Sequence, residues 1–424
     1  MQPTDTAKGP GSAEARPPGP AARRAAASGI KLGRVFGVEV HLDWSLLLIF
    51  ALITFNLGAG LFRFWHPDWS WVLRWGTALL AAVLFFASIL AHELSHALMG
   101  RALGVQIDRI TLFVFGGAAH MKGEPSRPGA ELAIAGVGPI VSLVIGAGAT
   151  WLGLVLSGTL GLDWSDAEQA ELIIAAMGPL PTLLLWLGPI NVLLAVFNLV
   201  PGFPLDGGRV ARAMIWAITG DFVKATRWAA LGGQAVAAML IGLGVLGLLG
   251  GNPGQGIWLM LIGWFLFTAA RFSYQQVMVK EALTDVPVAR LMRTQLGRVA
   301  PDLTVDQFVS QHLMASDQRA WPVESQGRFI GLVVWDDVRA LPQAQWPAAR
   351  VEEVMTPRAE LSTLQAADGA EQALELFAQA DVDQIPIVED ERLLGLVRRA
   401  DLLKWYALQH GEGQGPTFLR PVRR

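Results

Sequence analysis

A chain of 424 residues with a mean hydropathy of +0.41 and 16% charged side chains is too apolar for a soluble domain, where about a quarter are charged. Its net charge of -3 excludes the broad basic field of a nucleic-acid binder. With no cysteine there are no disulfides and no thiolate ligands, so any metal site must use His, Asp or Glu.

Residues 1–28 are rich in Ala, Pro, Gly and Arg and read as a disordered tail. No apolar region follows Arg23-Arg24 closely enough for a twin-arginine signal. The apolar runs beyond predict six membrane spans near 42–59, 73–99, 132–157, 173–200, 228–249 and 257–273. Three stretches, Leu132 to Leu162, Leu172 to Leu205 and Trp228 to Ala270, contain no Asp, Glu, Lys or Arg. The last holds two spans parted by the turn Gly250-Gly251-Asn252-Pro253-Gly254. Lys and Arg concentrate in the tail, in 100–131, in 207–227 and after Tyr274, which predicts both termini on the cytoplasmic side of a cell membrane.

Residues 91–98, at the end of the second span, read Ala-His-Glu-Leu-Ser-His-Ala-Leu. His92 and His96 are four apart, so on a helix both imidazoles face one way and can share one Zn²⁺. Glu93 lies beside them, where it can take a proton from water on the metal. Ionisable groups inside a span are costly and mark function. The bland alternative is a polar set satisfied by neighbouring helices or lying just outside the bilayer. A third ligand is needed, and Asp206 is the first acidic residue after the 172–205 stretch, set among Pro201, Pro204, Gly207 and Gly208. Asp206 could also cap the helix that begins there, and the two roles are compatible.

From about residue 284 the chain reads as a soluble α/β region that repeats. Leu291-Met292 recurs as Val354-Met355, Trp321-Pro322-Val323 as Ile385-Pro386-Ile387, Gly331-Leu332-Val333 as Gly395-Leu396-Val397, and Asp337 as Asp401. So long a unit is a duplicated small domain rather than a solenoid repeat.

HELSH in a span followed by Pro-x-x-Pro-Leu-Asp-Gly resembles the site-2 protease family of intramembrane zinc metalloproteases. The C-terminal repeat resembles a pair of CBS domains, so the likeness is to that family's CBS-containing branch, over about residues 30 to 408. The resemblance implies a polytopic α-helical membrane domain of about six transmembrane helices at 29–283. A cytoplasmic α/β tandem CBS-domain pair follows at 284–344 and 345–408, then a C-terminal tail at 409–424. It implies His92, His96 and Asp206 as ligands of one zinc ion, Glu93 as general base for attack by metal-activated water, and Asn198 as a donor to the tetrahedral intermediate or to substrate backbone. A helix–helix hydrogen bond is the other reading of Asn198. The substrates implied are single-span membrane proteins, such as anti-sigma factors or pro-sigma precursors, met among membrane lipid.

In each CBS copy the resemblance points to an adenine nucleotide, with Asp337 and Asp401 as contacts. The Ser/Thr expected three residues before each is Val334 or Arg398, which removes a hydrogen bond, although Arg398 and Arg399 could attract phosphate. A homodimer through 284–408 is expected. The run Ile110 to Phe115 with Gly116-Gly117-Ala118-Ala119-His120 suggests a small sheet able to pair with extended substrate, with His120 outside the ligand set. His41 is expected at the start of the first span, and His66 on the opposite side of the membrane from the site. Gly136, Gly138 and Pro139 suggest close helix packing, and the sixteen Trp suggest interfacial anchors. Two other function classes fit some of these features: a CBS-regulated metal-ion transporter or channel, and an inactive scaffold. Two His, one Asp and an adjacent Glu outside the ligand set suit hydrolysis better than transport.

Overall fold

The computed structural model describes residues 29–114, 116–122, 125–159, 167–379 and 382–410. The expected tail 1–28 and residues 411–424 lie outside them. Backbone contacts divide the described chain into two units. One ends at Glu124 and resumes over Ile145–Pro189, and the other comprises Pro125–Val144 and the chain from Ile190 onward.

The first unit opens with a four-stranded sheet ordered β1-β2-β3-β4, made of Ile30–Val35, Val38–Leu42, Gln106–Phe113 and Gly116–Lys122. β1 and β2 form a hairpin turning at Phe36 and Gly37, both with positive φ. β2 runs parallel to β3, with Val40 opposite Ile110, and β3 runs antiparallel to β4. A parallel pair needs a long crossover, and two spans supply it. These are α1, Trp44–Phe55 continued by helical turns to Trp65, and α2, Trp71–Ala102. The sheet expected near Ile110 is present but larger, because Lys31, Arg34 and Glu39 hide the strand alternation of 30–42 under an ion-pair cluster. Arg101, near the end of α2, donates to the carbonyls of Ile107, Phe36 and Gly37, tying the helix to β3 and the hairpin turn.

Further along, α3 is Pro128–Leu156, α4 is Ala167–Ala176 and α5 is Pro179–Asn198. Then come α6 at Asp206–Thr219, α7 at Phe222–Leu249 and α8 at Pro253–Leu283. Among the described residues, six helices are long and apolar enough to cross a membrane, matching the expected number.

Several boundaries differ from expectation for local reasons. Leu42 ends a strand, and Asp43 caps α1 by accepting the Ser45 N–H at 2.8 Å. His41 is therefore a strand residue, its Nε2 3.5 Å from Glu39. The fourth span starts at Pro179 rather than 173, because Gly178-Pro179 separates it from α4. The last span continues to Leu283. A Cβ at Gly136 would meet open space, whereas at Gly188 it would meet Thr150 and at Gly153 it would meet Leu184 and Leu185. Close packing of α3 on α5 therefore occurs there rather than at Gly136, while Gly138 and Pro139 of the expected set are buried.

In the second unit α7 and α8 form a tight hairpin, with Gly244 against Gly256 and Gly263 against Ala237. The end of α8 enters the repeat region: Val279, Ala282 and Leu283 share a core with Phe377, Ile385, Leu402 and Tyr406. The Trp405 indole also donates to the Ala282 carbonyl. The two copies match strand for strand, β5 (Ala320–Ser325) and β6 (Arg328–Val334) against β8 (Gln384–Glu389) and β9 (Arg392–Arg398). Even the irregularity repeats, after Val323 in one and Ile387 in the other. Several Trp, among them Trp44, Trp71 and Trp228, are exposed as anchors would be, but Trp321 is core, 1% exposed and edge-on to Phe308.

Candidate metal centre

The helix α2 places His92 and His96 one turn apart, 3% and 6% exposed. Their Nε2 atoms are 3.2 Å apart with the rings at 79°. Two imidazoles bound to one ion at about 2.0–2.1 Å and the tetrahedral angle would have nitrogens about 3.3 Å apart. The pair thus has the separation of two ligands on a common metal. A direct hydrogen bond between the rings would give a similar distance, so the donor set decides. His92, His96 and Asp206 each offer a ligand atom, and these atoms lie within 4.8 Å of one another. Two neutral nitrogens and a carboxylate form a zinc donor set, and the residues fit the ion.

Glu93, the residue after His92, is half-buried. It faces Gly117 of β4, where a Cβ would strike its Cγ and Cδ. The strand can lie against the carboxylate only because residue 117 has no side chain. The Ser95 hydroxyl donates to the His92 carbonyl at 2.6 Å, a bond internal to the helix.

Asp206 is the first residue of α6, and Leu205 takes the cap position without a side-chain bond. The capping alternative is thereby corrected. Gly207 and Gly208 press directly on the backbone of Leu199, Val200, Gly202 and Phe203, which folds the preceding turn onto the helix start. Asn198 ends α5, half-buried. His66 is 2% exposed, stacked on Trp69 and bonded to Thr182 at 2.8 Å. Burial lowers its pKa, against a backbone bond at Ala175 that raises it. His120 lies on β4 opposite Arg109, and its side chain lies outside the described residues.

The sequence reading missed three buried polar residues, Asn191, Glu131 and Arg212. Two had a signal: Asn191 is a polar residue inside a predicted span, and Glu131 directly precedes an uncharged stretch.

Residues 80–243 match the family described as Peptidase family M50, and residues 351–408 match the CBS domain. The chain is 32% identical over 391 residues to Rip3 of Mycobacterium tuberculosis, named as a candidate zinc metalloprotease, spanning 92% of this chain and 95% of that one. It is 31% identical to sll0528 of Synechocystis, named likewise, over 88% of this chain and 94% of the other. The chain belongs to peptidase family M50. This is the site-2 protease family of intramembrane zinc metalloproteases, and the chain falls in its CBS-containing branch. A solved site-2 protease from Methanocaldococcus jannaschii is 27% identical, with a TM-score of 0.37 over 58% of this chain and 94% of that one.

In this M50 chain the CBS residues turn out to have local work. The Asp337 carboxylate accepts from the Val334 N–H at 2.9 Å, and Asp401 accepts from the Arg398 N–H at 3.2 Å, both securing the first turn of the helix that follows the strand. The Arg398 guanidinium grips both oxygens of Asp401, at 3.0 and 2.9 Å. Burial alone would raise the Asp401 pKa, but the bonds and charge of Arg398, with Arg293 beyond, hold it below the usual carboxylate range. Beside this pair is a cleft of about 310 Å³ lined by Asp317, Arg319, Asp383, Gln384, Arg398 and Arg399.

Proposed function

We propose that this M50 chain is an endopeptidase that hydrolyses peptide bonds in or beside transmembrane segments, with His92, His96 and Asp206 holding one zinc ion. The observation that carries the reading is the donor set, two buried imidazole nitrogens and one carboxylate within 4.8 Å of one another. When bound, the ion supplies Lewis acidity and lowers the pKa of water toward about 7. Glu93 holds and moves the proton. Its carboxylate takes the proton from the attacking water and passes it to the leaving nitrogen, so that the C–N bond breaks to a carboxylate and an amine. The Asn198 amide donates to the oxygen that gains charge, worth a few kcal/mol in a low-dielectric site.

The substrates in this reading are single-span proteins of the cell membrane, such as anti-sigma factors or pro-sigma precursors, with the CBS pair cytoplasmic and dimeric. An extended substrate segment would lie near β4, where Gly117 meets Glu93. Nucleotide regulation has support in the arginine-lined cleft. Against it, Asp337 and Asp401 already serve as helix caps and Arg398 is spoken for by Asp401.

The deciding experiment co-expresses a tagged single-span reporter with wild type and with Glu93→Gln, and measures zinc in each purified protein. Loss of cleavage with zinc retained is expected. Equal cleavage by both would reject the mechanism.

A further inference from the structure

Among the described residues, a buried ion pair lies on the helix that carries Asp206. Glu131, in the first turn of α3, is 0% exposed, and Arg212 of α6 is 8% exposed. The guanidinium donates through Nε at 2.7 Å and through a second, shorter bond from Nη2 to the same carboxylate oxygen. Arg209 approaches that oxygen at 3.9 Å. The Arg212 guanidinium also stacks on two rings, 5.1 Å from Phe203 and 4.6 Å from Phe222.

The position of this cluster connects it to the metal ligand. Phe203 belongs to the turn immediately before Asp206, and the Phe203 N–H is bonded to the Ala229 carbonyl of α7 at 3.2 Å. The turn also packs on its neighbours, with Phe203 in a small core with Ala229, Ala230 and Ala270 and Gly202 against Gly232 and Gly233. Gly207 and Gly208 meet it backbone to backbone, and the cap residue Leu205 makes no side-chain bond. Arg212 therefore grips the turn through the Phe203 ring and the helix through its own backbone, while Glu131 fixes the guanidinium plane. An apolar side chain would fill the space without that directional hold, and a buried charge pair is costly to keep unless its geometry matters. Arg212 lies six residues, about 9 Å along the helix, from Asp206. It acts on the ligand through the backbone.

We propose that Arg212, clamped by Glu131, is a positioning residue that fixes the direction of the Asp206 carboxylate for the metal. The inference rests on the zinc reading of His92, His96 and Asp206.

The test uses full-length protein purified in detergent and compares wild type with Arg212→Lys, Glu131→Gln and the reference His96→Ala. Zinc affinity is read by chelator competition, with thermal unfolding and the kcat and KM of reporter cleavage in parallel. Folded Arg212→Lys and Glu131→Gln should each bind one zinc at saturation but release it to chelator at least about tenfold more readily, the size found when groups behind a ligand are removed. Their kcat should fall with KM unchanged and recover as free zinc is raised. A lower unfolding temperature with wild-type zinc affinity in both variants would overturn the proposal, since the pair would then be only structural. Failure of both to fold would overturn it in the same way. Zinc absent from wild type would reject the metal reading and this inference with it. Zinc held by wild type, lost in His96→Ala and kept at full affinity by the two pair variants would reject the inference alone.

Discussion

The membrane-spanning part and the duplicated α/β part distribute their side chains in opposite ways. In the CBS pair the large apolar groups are inside: Phe308, Trp321, Phe329 and Phe377 are at most 2% exposed. In the spans, large groups such as Phe64, Val72 and Val144 point outward, 67–73% exposed. Buried positions there include Ala78, Ala81, Ala82, Thr77, Ser88, His92, His96, Glu131 and Asn191, beside some larger apolar ones such as Ile134 and Leu183. Water drives the first arrangement, because burying apolar area gains about 25 cal/mol per Å². Lipid offers no such gain, so helices meet through small residues that let backbones approach, and polar groups turn inward to find partners. The interior of the membrane part is thus where polarity is concentrated, and the proposed catalytic groups lie in that interior.

The strongest way to break this contrast is to remove an interior polar group. Glu93→Gln should lower reporter cleavage by about 10²–10⁴-fold with zinc unchanged, as expected for loss of a general base. A loss below tenfold would mean that interior polarity is not catalytic there. Next in size, Phe377→Ala should destabilise the CBS region by about 3–5 kcal/mol. The outward Val144→Ala should cost about 0.5 kcal/mol or less. Hydrogen exchange on the full chain would read both, and equal costs would erase the distinction between the two solvents.

A smaller effect is expected where the sheet meets the site. Gly117→Ala forces the Glu93 carboxylate aside, and a displacement near 1 Å can cost up to about 10²-fold in rate. Cleavage should fall by about 10–100-fold while zinc content stays constant, which elemental analysis and the reporter assay check together. The smallest effect belongs to Asp401. Its folded pKa is depressed, so its contribution is fully present above the ordinary carboxylate value near 3.9 and is lost as pH falls toward the folded value. Asp401→Asn should weaken protection of residues 384–410 by about 1 kcal/mol or less at pH 6. Hydrogen exchange should show wild type and variant converging as the pH drops below about 4.

Much of this was legible in one dimension. The spacing of His92 and His96 is a property of the helix itself, since residues four apart share a face whatever surrounds them. Charge-free stretches revealed the spans because hydrocarbon tolerates no other composition. The duplication was visible because the two copies keep the same strand pairing, down to the irregularity after Val323 and Ile387. Strands β1 and β2 were not legible. Their alternation is masked by Lys31, Arg34 and Glu39, and the hairpin joins a larger sheet only where β2 pairs with Arg109 to Leu112, far along the chain. The caps made by Asp337 and Asp401 were not legible either, because a cap and a ligand contact ask for the same carboxylate at the same spacing.

By itself, then, the sequence determined what is local or compositional: the spans, the His pair with its neighbouring Glu93, the repeat, and an aspartate set in a turn of glycines and prolines. The tertiary structure decided what depends on residues far apart in the chain. It laid Gly117 against Glu93 and joined Glu131 to Arg212 across 81 positions. No periodicity encodes such meetings, because each is fixed by which surfaces can approach most closely once the helices have formed.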